Sequence, residues 1–165
     1  MKKIAFYVSI LLLGYSCIDS KTKSNDRYIY LVRHAEKMSD SKNPELTEQG
    51  RLRAQSLSKV LSSKSITGIY STDYKRTKGT AAPLSQRLDL PINLYDPSDL
   101  EGFSSELKEE IKGNVLVVGH SNSTPTLVNH LLGTTTYKKL DETEYGDLFI
   151  VLLSSNKVTS SRDKF

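Results

Sequence analysis

The sequence has one cysteine, Cys17, and no tryptophan. A lone cysteine excludes an internal disulfide, so the thiol needs another explanation. A strong charge of either sign is also missing: 23 lysines and arginines face 19 aspartates and glutamates, a formal net charge of +4. Two of those cations, Lys2 and Lys3, fall in an N-terminal stretch expected to be removed, which leaves 21 against 19 and no argument for nucleic acid as a partner. The apolar stretch from Ile4 to Leu13 is too short to span a bilayer as a mature helix. There is no internal repeat and no low-complexity segment. What remains is 165 residues, 37% hydrophobic and 25% charged, enough for one soluble globular domain with a sizeable core and too few for two large ones.

The N-terminus has the order of an export signal over residues 1–16: Lys2 and Lys3, the apolar run, then Gly14-Tyr15-Ser16 before Cys17. The stretch LLLGYSC resembles a bacterial lipoprotein lipobox, in which the cysteine becomes the lipidated first residue of the mature protein; Gly14 stands where a leucine is usual. The resemblance implies a membrane anchor at Cys17 and a place in the cell envelope. The alternative is an ordinary cleaved signal with an incidental cysteine. Ile18 to Asp26 is polar and aperiodic, so residues 17–26 read as a flexible tether and a single domain occupies 27–165.

Past the tether, strand-like and helix-like segments alternate. RYIYLV, starting at Arg27, is rich in β-branched and aromatic residues and reads as a buried strand. The segment from Leu46 to Ser63 reads as a helix with Thr47 as N-cap. ITGIYS is a second strand, and the helix after Ser71-Thr72-Asp73 carries Gly79 and Pro83, which mark an irregular first turn. INLY is a marginal strand, Phe103 to Lys112 a helix closed by Gly113, NVLVVG a buried strand, STPTLVNHLLG a helix ending at Gly133, and DLFIVLL the last full strand. Val158 suggests one more short edge strand, with the rest of the C-terminal tail frayed. This interleaving predicts an α/β fold, a layered sheet with helices on both faces.

The chemistry collects at the strand ends, where open α/β sheets bind ligands. YLVRHAEK and VVGHSNST each leave a strand through a histidine, His34 and His120, and ITGIYS leads into STDYKRT, bringing Arg76 to the start of a helix. His130, the third and last histidine, lies mid-helix among leucines and reads as a boundary or surface residue. Two arginines and two histidines in one pocket serve no structural purpose, because packing cations together is unfavourable unless an anion neutralises them. Guanidinium forks match phosphate oxygens, and a neutral imidazole can attack phosphorus.

LVRHAEK, LTEQGRLRAQ, YSTDYKRTKGTA and VLVVGHSNSTP, in that order, resemble the histidine phosphatase superfamily, also called the phosphoglycerate mutase-like family, from about Tyr28 to Phe149. The resemblance implies a three-layer α/β/α sandwich around a mostly parallel sheet. It gives Arg33 and Arg76 the role of phosphate-binding arginines, His34 that of nucleophile, and His120 that of the second pocket histidine. It implies a phosphohistidine intermediate and neither metal nor organic cofactor. A general acid is harder to place: Ser121 follows His120 where some members have an aspartate. Asp96, Asp99, Glu101 and Glu36 are candidates, each readable instead as a solvated loop carboxylate. The short loop from Met38 to Pro44 and the short span between Arg76 and NVLVVG predict an open site without a large lid. Three readings follow: an exported phosphomonoesterase acting on a phosphorylated small molecule or exposed phosphate group, a phosphohistidine or other phosphoprotein phosphatase, and a non-catalytic anion-binding envelope lipoprotein.

Overall fold

Ile29 and Leu31 point to one side of the first strand and Tyr30 and Val32 to the other, and all four are buried, which requires a sheet covered on both faces. The computed structural model describes residues 26–165. The expected signal at 1–16, Cys17 and the tether up to residue 25 lie outside the described residues. The elements are β1 (Arg27–Arg33), α1 (Glu48–Leu61), β2 (Ile66–Ser71), α2 (Lys75–Leu88), β3 (Ile92–Leu94), α3 (Leu100–Glu109), β4 (Asn114–Gly119), α4 (Ser123–Leu132), β5 (Asp147–Leu153) and β6 (Val158–Lys164).

The strands form one sheet in the order β3-β2-β4-β1-β5-β6. β3, β2, β4 and β1 pair in parallel, while β5 runs antiparallel to both β1 and β6. Ile29, Leu31, Val115 and Val117 pack with Phe103 and Leu107 of α3 and Leu127 and Val128 of α4 on one face. Tyr30, Val32, Leu116 and Val118 pack with Leu57 and Leu61 of α1 and Ala81 and Leu84 of α2 on the other. Each fully buried leucine in these layers contributes about 1.5–3 kcal/mol relative to exposure. The predicted α/β/α sandwich is thus the observed one.

Local details agree and disagree in instructive ways. Thr47 caps α1 as expected, its side chain accepting from the Gly50 N–H at 3.0 Å. The helix α2 is regular through Pro83, with no irregular first turn. Pro83 lacks the N–H that would reach the carbonyl of Gly79 four residues back, so the two weak helix formers fall on one hydrogen-bond position. α3 begins at Leu100 and ends at Glu109, not over 103–112, because Asp99 starts it. The tail is not frayed: β6 pairs with the whole of β5, from Asp147↔Lys164 to Leu153↔Val158. Its polar sequence VTSSRDK hides an edge strand held by main-chain bonds and by Arg162 and Lys164, each 2.8 Å from Asp147 Oδ1.

Candidate active site

Parallel pairing of β1 with β4 puts Arg33 opposite Gly119, so the next residues, His34 and His120, leave the sheet side by side. The His34 N–H donates to the Gly119 carbonyl at 3.0 Å, and the two imidazole centroids are 5.5 Å apart. Gly119 has no room for a side chain: a Cβ there would lie 2.8 Å from Tyr95 Oη and 2.9 Å from Ser123 Oγ and Thr124 Oγ1. β2 pairs with the other side of β4 and delivers Thr72, then Arg76 in the first turn of α2. The four predicted residues Arg33, His34, Arg76 and His120 therefore do converge, and the last three line a cleft of about 680 Å³ beside the buried Arg33.

His34 Nδ1 lies 2.8 Å from the carbonyl of Ala35, which only accepts, so that nitrogen carries the proton and Nε2 keeps its lone pair. The Ala35 N–H in turn donates to Thr80 Oγ1 at 2.9 Å, fixing the turn that holds the ring. Burial above all, then the nearby Arg33, Arg76 and His120, lowers the His34 pKa to about 3 despite the Ala35 bond. Burial, with Arg76 and Arg33 behind it, lowers His120 to about 4. His120 receives the Arg76 Nη2 donor at Nδ1, 3.4 Å away, and donates from Nε2 to Thr72 Oγ1 at 3.0 Å. Both rings are neutral at physiological pH.

The arginines are positioned by contacts that leave donors open. Arg33 is 3% exposed; Nη1 donates to the carbonyls of Asp141 and Glu144 at 2.8 and 3.0 Å, and Nη2 to Glu142 Oε2 at 3.0 Å. The Tyr145 ring lies 4.3 Å from its Cζ. Arg76 lies 4.4 Å from the Tyr74 ring. Burial lowers the Arg76 pKa. The Nε atoms of Arg33 and Arg76 are buried without a hydrogen-bond partner. Two unspent donors beside two neutral imidazoles make a site built for an anion with several oxygens.

None of the four acids expected as proton donor lines this cleft. Asp96 is exposed and spends Oδ1 on the N–H and hydroxyl of Ser98, at 2.8 and 2.7 Å. Asp99 is the N-cap of α3, accepting from the Gly102 N–H at 2.9 Å, and Glu101 is exposed in the first turn of that helix. Glu36 accepts Arg53 Nε at 2.9 Å on both oxygens; burial opposes its ionisation, but the Arg53 bond, the backbone bond and the charges of Arg53 and Arg33 together outweigh it and hold the carboxyl below its usual range. Helix capping and ion pairing claim these side chains because the third strand's loop turns directly into α3 and the first strand's loop packs on α1.

The carboxylate that does line the cleft is Glu142, which sequence reasoning missed. It lies in the loop between α4 and β5, accepts from Ser121 Oγ at 3.1 Å and pairs with Lys139 at 3.3 Å. The Ser121 and Lys139 bonds, with the charge of Arg33 behind them, hold its carboxyl below the usual range. β5 is antiparallel to β1, with Leu148 opposite Val32, so the loop entering β5 must arrive at the edge where β1 ends. The acidic run DETEYGD before the last strand was the available signal, and it has meaning only once that pairing is known.

Among the described residues no cluster of His, Cys, Asp or Glu could hold a metal ion, and no helix is long and apolar enough to cross a membrane. No curated protein sequence matches the chain significantly. The fold resembles the alpha-ribazole phosphatase of Shigella flexneri, with 16% identity, TM-score 0.70, and 84% of this chain and 96% of that one covered. It also resembles a mycobacterial glucosyl-3-phosphoglycerate phosphatase (15%, TM-score 0.66, 85% and 98% covered) and the protein histidine phosphatase SixA solved with tungstate (18%, TM-score 0.67, 83% and 96% covered). Residues 29–97, which contain Arg33, His34 and Arg76, match the model of the histidine phosphatase superfamily, branch 1. Over residues 29–97 the chain is thus similar to the histidine phosphatase superfamily, and its fold is the one these solved phosphatases share, a likeness that supports a phosphatase with a histidine nucleophile.

Proposed function

We propose that this chain is an exported phosphomonoesterase that hydrolyses phosphate esters through phospho-His34, held at the cell envelope by a lipid anchor on Cys17. The observation that carries the chemistry is the His34 ring: Nδ1 is committed to the Ala35 carbonyl, leaving a neutral Nε2 beside two arginines with unspent Nε donors. Burial and the adjacent cations keep that nitrogen deprotonated, so the nucleophile needs no separate base. Arg33, Arg76 and His120 bind the phosphoryl oxygens, neutralise the charge spread in the transition state and hold the ester in line with Nε2. A bound dianion favours the charged form of His120, which then adds a donor. The alcohol leaves, and water attacks phospho-His34 to release phosphate.

The export reading rests on the residue order before Cys17 and on the lipobox resemblance of LLLGYSC. A second reading, a phosphohistidine or other phosphoprotein phosphatase, is favoured by the rim: Lys37, Ser98, Asn122 and Lys139 are exposed, so a phosphate on a larger body can approach.

The test uses the full chain with p-nitrophenyl phosphate, beside His34→Ala, with acid quench to trap an acid-labile phosphoenzyme. Turnover should fall roughly a thousandfold or more in the variant, and the phosphoenzyme should vanish. Absence of both in the folded wild-type chain, across pH and several esters, moves the reading to a non-catalytic anion-binding lipoprotein. Cell fractionation of the same chain and Cys17→Ser reports the anchor: release from the membrane fraction in the variant supports it, and unchanged distribution overturns it.

A further inference from the structure

We propose that Glu142 is the proton donor of this site, passing a proton to the leaving alcohol in the first step and taking one from water in the second. The proposal rests on the phospho-His34 reading. Glu142 is the one carboxylate lining the cleft among the described residues, together with His34, Arg76 and His120. Its Oε2 occupies Nη2 of Arg33, a donor that a phosphoryl oxygen would take, so the carboxylate already stands where the substrate's oxygens arrive.

The pair is not built for stability. Arg33 is 3% exposed and Glu142 64% exposed, so the carboxylate reaches in from solvent and is free to swing aside. An ion pair with so exposed a partner adds little to stability. Glu142 also touches Ser121 and Lys139, which hold its other oxygen at the rim when Oε2 leaves Arg33.

The proton arrives with the substrate. A phosphomonoester monoanion loses its last proton near pH 6, and its oxygens pairing with Arg33 and Arg76 favour that loss. Glu142, displaced from Arg33 and facing a dianion, loses one of the cations that favour its ionised form and gains a negative neighbour, so it takes the proton. His34 Nε2 then forms the N–P bond as the P–O bond to the alcohol breaks, and the Glu142 proton goes to the departing oxygen, leaving a carboxylate. Water adds to phosphorus, its proton returns to Glu142, and the N–P electron pair goes back to Nε2. Charge and protons balance over both steps without a co-reactant.

The test compares the full-length wild-type chain with Glu142→Gln on p-nitrophenyl phosphate, whose leaving group needs no proton, and glycerol 2-phosphate, whose leaving group does. The expected result is a loss of about 10²–10⁴ in kcat on glycerol 2-phosphate against less than about tenfold on p-nitrophenyl phosphate, with the phosphoenzyme still trapped from the latter. Equal losses on both substrates, in protein whose melting curve matches wild type, overturn the proposal. So do faster turnover of both and stronger inhibition by tungstate, which would make Glu142 only an occupant of Arg33. A wild-type chain that forms no phosphoenzyme from either ester fails the parent reading instead, a result independent of Glu142.

Discussion

Two charged regions of this molecule lie near the same sheet edge and are built by opposite rules. In the first, Glu36 meets Arg53, and Asp147 meets Arg162 and Lys164, so each cation has a carboxylate. Arg162 reaches Glu144 as well, tying the loop before β5 to the edge strand. In the cleft, Arg76 has an imidazole and an aromatic ring for company and an orphaned Nε, and the two histidines lie among cations. The paired region holds loops to helices and strands. The cleft pairs Arg33 with Glu142 but gives Arg76 no carboxylate, and so stores unfavourable electrostatics that an incoming anion relieves, the usual exchange of stability for function at an active site.

The largest expected effect breaks the second region. Arg76→Met should lower kcat/KM by about 10²–10³ while leaving the melting temperature equal or higher, because it removes a half-buried cation that has no carboxylate partner. A variant that loses activity and melts well below wild type would mean that Arg76 holds the fold as Arg53 does. Next, Glu36→Gln should cost about 1–3 kcal/mol in denaturant unfolding, with kcat within about twofold of wild type, since Arg53 loses a partly buried partner and the cleft loses nothing. A kcat collapse in that variant would return Glu36 to the list of proton donors.

The smallest effect is in pH. With folded pKa values of about 3 for His34 and about 4 for His120, against about 6.5 when unfolded, the unfolded chain binds protons first as pH falls. Their contribution is complete above about pH 6.5 and drains away as pH drops toward the folded values. Between pH 7 and 5.5, above the carboxylate range, the melting temperature should therefore fall by a few degrees. Tungstate should offset that fall, and His34→Gln should flatten it. A flat wild-type curve would mean that the cleft carries no such penalty.

Three of the four cleft residues were legible in the sequence because each sits one to five residues past an apolar strand, and strand ends are local features. The fourth, Arg33, was legible as a residue but not in its partners: its Nη donors go to a loop more than a hundred residues away. Asp96, Asp99 and Glu101 were plausible acids by position, yet a serine turn and a helix cap claim the first two, and the helix carries the third away from the cleft. Val158 marks an edge strand in the sequence, but the residues after it read as frayed because they are mostly polar and lack hydrophobic alternation, although an edge strand needs only main-chain partners.

The sequence by itself determined the α/β layering and the arrival of His34, His120 and Arg76 at one sheet edge, because apolar strands, helix caps and polar strand ends are written in neighbouring residues. Only the tertiary structure decided that the Ala35 carbonyl orients the His34 ring and that Glu142 closes over Arg33. The first depends on how the chain turns off β1. The second depends on β5 pairing antiparallel with β1, a contact between distant segments that no local pattern encodes.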